Sequence, residues 1–149
     1  MFAPALRIAA GKATGVAMRD ALDALVARAQ LFDAAEVALP ETIAQRKAAR
    51  GEQSPVLKKG TREMLDGFTQ DQQNIQADIL ATFEASEDAA TIVWSLGFAL
   101  RSDVQRSEGL LKHYPEADRP IGVEQQQRKR DLLAALDAFL AEFQPASEV

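Results

Sequence analysis

The side chain with the widest chemical range is His113, the chain's single histidine, in a sequence with no cysteine. A neutral imidazole serves as a general base, a metal ligand or a phosphoryl acceptor, and each role needs partners at set spacing. A four-helix carboxylate metal site needs Glu-x-x-His on two helices, whereas Leu110 stands three residues before His113. A phosphoryl-accepting histidine needs an exposed mid-helix position, and Tyr114 and Pro115 follow directly to end the helix. The simpler expectation is an imidazole at a helix C-terminus, where a cation interacts favourably with the carbonyl end.

Carboxylates offer the next chemistry. Asp20 with Asp23, and Glu84 with Glu87 and Asp88, lie at helical spacing and supply oxygen ligands of the kind that hold Mg²⁺ or Ca²⁺. Glu87 and Asp88 also follow Ser86, a candidate N-cap, and acids in a first helical turn are explained by the helix dipole alone. No Gly-rich phosphate loop, Gly-x-Ser-x-Gly elbow or zinc spacing occurs. The expectation is a non-enzyme with no catalytic, cofactor-binding or metal residues and no cofactor.

Charge is distributed in blocks. The formal net charge of −5 disfavours polyanion binding by the chain as a whole. Residues 1–19 carry three bases and no acid, residues 20–45 are acidic, and residues 63–100 hold seven acids and no base. Between them, Arg46, Lys47, Arg50, Lys58, Lys59 and Arg62 form a basic block, the candidate contact for an anion or an acidic partner. A nucleic-acid-binding regulator built on the 46–62 segment is the alternative functional expectation, and the absence of a stacking aromatic within the block counts against it.

The most informative stretch is Ala89 to Leu100. Ile92, Val93, Trp94, Leu96, Phe98 and Leu100 place apolar side chains around the whole circumference of a helix, where a helix facing one core needs a single stripe. Such a segment is either the central helix of the fold or a partner interface, and Gly97 would admit a close backbone in both cases. These six residues are the expected interface, with a second copy or another protein as partner.

These residues need elements to position them. Alanine, leucine, glutamine and charged residues dominate and no sustained apolar alternation occurs, so strands are not expected. From Thr14, a candidate N-cap, Val16, Leu22, Leu25, Val26, Ala29 and Phe32 predict a helix ending near Leu39, because Pro40 disfavours helical backbone in the residue before it. A short helix over 41–50 should follow, closed by Gly51. Met64, Phe68, Ile75, Ile79 and Phe83 predict a long amphipathic helix, and a second stripe runs from Val93 to Tyr114. One continuous helix over 61–114 would be about 80 Å long, so a hairpin at Ser86 is expected instead. Pro115 to Pro120 is a turn that Asp118 can cap, and a last helix reaches Phe143 with an entirely polar start over 124–131.

The predicted fold is all-α, a mostly up-and-down bundle of four main helices plus one short helix. It forms a single domain over 1–149, with an N-terminal arm over 1–12, a flexible basic connection over 51–60 and a frayed tail over 144–149. The first residues read as part of the mature chain, no stretch reaches the roughly 20 apolar residues of a membrane span, and the lack of cysteine fits a cytoplasmic location. The expected function is a protein-protein interaction module, a regulator, adaptor, chaperone or immunity-type protein that self-associates as a homodimer or binds another chain.

Overall fold

A computed structural model describes residues 1–52 and 58–145. Five α-helices account for most of them: α1 (Phe2–Gly11), α2 (Val16–Ala49), α3 (Lys59–Ser86), α4 (Ala89–Leu110) and α5 (Arg119–Glu142). Single 3-10 turns over Leu111–His113 and Glu116–Asp118 join α4 to α5. No strand occurs among the described residues, and the fold is all-α. No described helix is long and apolar enough to cross a membrane.

The short helix of the set is α1, not the 41–50 segment. The residues expected as an N-terminal arm are helical because Phe2 to Gly11 is rich in alanine and apolar side chains, and Ala3, Ala5, Leu6, Ala9 and Ala10 are buried. The sequence supplies no cap of its own there. Asp33 of α2 takes that part: Oδ1 accepts from the Phe2 amide at 3.0 Å and Oδ2 from the Ala3 amide at 2.9 Å. The same carboxylate pairs with the terminal ammonium of Met1.

Helix α2 is continuous through Pro40, which overturns the expected stop at Leu39 and merges the 41–50 helix into a 34-residue element. Its start is also shifted: Gly15, with φ at +117°, is the N-cap in place of Thr14. Its far end is held to the α4–α5 corner, where Nη2 of Arg50 lies 2.9 Å from Oδ1 of Asp118. Asp118 therefore binds Arg50 and makes no side-chain cap for α5.

The break after Ser86 is present, but Asp88 makes it. Asp88 Oδ1 accepts from the Thr91 amide at 2.7 Å, while Ser86 Oγ donates to the Thr82 carbonyl at 2.9 Å inside α3. Of the expected connection over 51–60, residues 53–57 lie outside the described residues, and Lys59 and Gly60 begin α3.

Helices α1, α2, α4 and α5 enclose the core. Leu6, Leu22, Ile92, Val93, Leu100 and Leu136 are fully buried, each contributing roughly 1.5–3 kcal/mol of transfer free energy. The polar start of α5 is not wholly solvated: Gln126 and Lys129 are buried, and Gln126 Nε2 donates to the Val104 carbonyl at 2.8 Å. Lys129 Nζ bonds Ser107 Oγ at 3.0 Å and sits 2.8 Å from Asp103 Oδ2. Burial pushes the Asp103 carboxyl upward, but hydrogen bonds from Lys129 and Arg106 and their charges outweigh it and hold the group below its ordinary value.

Candidate interaction surfaces

The apolar circumference of α4 divides between core and solvent. Ile92, Val93 and Leu100 are buried and Leu96 is partly buried against the core, so Ile92, Val93 and Leu100 are removed from the expected interface: they belong to the core, where α4 packs on α1 and α5. Trp94 and Phe98 remain open, 51% and 64% exposed, one turn apart with rings stacked at 5.6 Å. They flank a small groove with Arg101, Asp137 and Leu140 between α4 and α5. Of the two alternatives for this segment, a helix covered on every side does not describe it, because Trp94 and Phe98 are exposed.

Gly97 does not serve close approach within the chain, since a Cβ there would meet nothing within 4 Å. The tight glycine is Gly122 of α5, where a Cβ would lie 2.7 Å from the Tyr114 ring and 2.9 Å from Leu111 Cδ2. Its signal in the sequence was position alone, two residues after Pro120 in the turn that folds α5 back on α4.

The basic block is split between two helix ends. Arg46 and Lys47 lie in the last turn of α2, Arg50 caps it, and Lys59 and Arg62 open α3. Arg50 pairs with Glu52 and Asp118, which hold its guanidinium charged above the ordinary value, and Lys59 approaches Glu63 at 4.0 Å. Internal pairing thus takes up part of the block. His113 lies exposed in the 3-10 turn after α4, and Asp23 pairs with Arg19. Among the described residues no three histidine or carboxylate side chains converge as metal ligands.

The surface that sequence reasoning missed is α3. The expected long amphipathic helix is present, and none of its 28 residues is buried. Met64, Leu65, Phe68, Ile75 and Ile79 are between 43% and 59% exposed. The stretch Gln76 to Phe83 borders the rest of the fold, with Leu80 and Phe83 resting on the core and Lys12 Nζ bonding the Phe83 carbonyl at 2.5 Å and that of Glu87 at 2.6 Å. Helix α3 packs on α1 and stands apart from α4 over the start of α1. The gap is an apolar cleft of about 310 Å³ walled by Ile79, Leu80, Phe83, Leu96, Leu100 and Phe2. A second cavity of about 480 Å³ adjoins it over Phe2 and Leu100, reaching Phe32 and Val37.

Comparison of the chain with protein-family models, with curated proteins and with solved structures finds no match.

Proposed function

We propose that this chain is a helical protein-protein interaction module of the regulator, adaptor, chaperone or immunity type, working without catalysis. One observation carries the reading: a 28-residue helix with no buried residue displays a stripe of large apolar side chains beside an open apolar cleft. Scattered exposed apolar residues are ordinary, whereas a contiguous stripe along a projecting helix is the pattern of a surface that another chain covers. The accessible surface supports it, at 9827 Å² against roughly 7,500 Å² for a compact monomer of 16.2 kDa. The Trp94–Phe98 pair offers a second, smaller apolar site on the face formed by α4 and α5.

The test combines light scattering with affinity capture from the source cells, using the native chain, Phe68→Glu and Trp94→Arg. Both substituted positions are exposed, so both variants should remain folded by circular dichroism. The expected result is an assembly or a bound protein that Phe68→Glu removes. A monomer that captures the same proteins in all three forms would end this reading.

A further inference from the structure

We propose that the occupant of the α3 stripe is α3 of a second copy, paired antiparallel about a two-fold axis between Asp71 and Gln72. This rests on the interaction-module reading and specifies its partner. A two-fold interface requires a patch complementary to itself, with residue i meeting j and j meeting i. The stripe has that property. Four of its five large exposed apolar residues, Met64, Phe68, Ile75 and Ile79, are spaced by four, seven and four residues, a sequence that reads the same in both directions, and the fifth, Leu65, lies at the edge of the stripe, level with Asp78 of the second copy. Antiparallel pairing about that centre sets Met64 against Ile79 of the second copy and Phe68 against its Ile75, and Thr61 meets Thr82 at each end.

The cleft supplies the second argument. Ile79 belongs both to the stripe and to the cleft wall. Pairing Met64 with the other copy's Ile79 therefore lays the N-terminal half of each α3, exposed from Lys59 to Ile75, across the mouth of the other copy's cleft. Two unsatisfied apolar surfaces of one chain cover each other reciprocally. The α3 helix is about 42 Å long, and the accessible surface exceeds that of a compact monomer by more than the roughly 1,600 Å² a standard interface buries.

Charge selects the direction. The start of α3 carries Lys58, Lys59 and Arg62 against Glu63 and Asp66, an excess of one positive charge, while Asp78, Glu84 and Glu87 make its end acidic. Antiparallel pairing brings each basic end level with the other copy's acidic end; parallel pairing would stack like on like.

The chain has no cysteine, so single cysteines report the register without background. Sedimentation equilibrium on the full chain up to about 200 μM should give twice 16.2 kDa, and Phe68→Glu should weaken association roughly a hundredfold while keeping the helical spectrum. Gln72→Cys, next to the axis, should form a disulfide dimer on mild oxidation. Thr61→Cys and Thr82→Cys should each fail alone, their own copies lying roughly 31 Å apart along the helix, and should cross-link when mixed. A monomer throughout the range, a dimer unaffected by Phe68→Glu, or cross-linking of Thr61→Cys alone overturns the pairing. The two readings fail separately: a monomer that loses a captured protein on Phe68→Glu keeps the module and sinks the self-pairing, and a monomer that loses nothing sinks both.

Discussion

Lys129 of α5 reaches across to Asp103 of α4, its Nζ 2.8 Å from Oδ2, with the lysine side chain only 10% exposed and the carboxylate 29%. An ammonium so far from water is tolerable because Asp103 and the Ser107 hydroxyl receive it. Lys129→Ala should cost about 2 kcal/mol at neutral pH, below the 3–5 kcal/mol of a fully buried pair because Asp103 keeps some water and Arg106. The Asp103 pKa is lower folded than unfolded, so its stabilisation is complete above the unfolded carboxylate value and disappears as pH falls through the folded one. Urea denaturation of the native chain and Lys129→Ala should converge as the pH is taken down through that acid window, and a gap independent of pH would contradict the assignment.

The two glycines that face α-helical packing should respond oppositely to alanine. Gly97 lies within α4 with open space around its missing Cβ, so Gly97→Ala should stabilise by roughly 0.5–1 kcal/mol through helix propensity. At Gly122 the added methyl must displace the Tyr114 ring and Leu111, a cost of about 1–3 kcal/mol set against the same propensity gain. Urea midpoints at constant slope check both, and Gly122→Ala should also alter the tyrosine signal of the α4–α5 corner.

The helical class, the break after Ser86, the Pro115 to Pro120 corner and the last helix were legible because each depends on local periodicity and turn chemistry. What escaped depends on distant partners. Phe2 to Gly11 carries no cap of its own, and the carboxylate that caps it is 30 residues away at Asp33. Lys129 looks like a solvated base within the polar start of α5 until α4 brings Asp103 and Ser107 beside it. The division of the Ile92 to Leu100 segment into core and open faces needed the positions of α1 and α5. For α3 the amphipathic helix was legible and its exposure was not, since the spacing of an apolar stripe does not tell what lies against it.

Pro40 is a test of how tertiary anchoring overrides a local stop. The helix passes through it although proline lacks the amide and crowds the Glu36 carbonyl one turn back. Contacts on both sides hold α2 in line: Gln125 Nε2 of α5 bonds Glu36 at 3.2 Å, and Arg50 bonds Asp118, in the turn before α5, at 2.9 Å. Pro40→Ala should therefore raise stability by about 1–3 kcal/mol with little change in helix content, whereas a true break at Leu39 would make the substitution lengthen a helix and visibly deepen the far-ultraviolet spectrum.

Asp71 gives the pairing of α3 helices a consequence that hydrophobic burial alone would not have. In the antiparallel arrangement it lies beside the axis, on the same edge of the stripe as its own copy, and no base occurs between residues 63 and 100 to offset the two charges. Like charges this close oppose association by a few tenths of a kcal/mol each at moderate salt, more when screening is weak. Asp71→Asn should tighten the dimer roughly two- to fivefold in dilute buffer, with the gain shrinking as salt is added. Asp66→Asn removes the same charge from the opposite face of α3 and should leave the dissociation constant nearly unchanged. Equal effects from the two substitutions, measured by sedimentation across a salt series, would show that net charge and not a contact at the axis governs association.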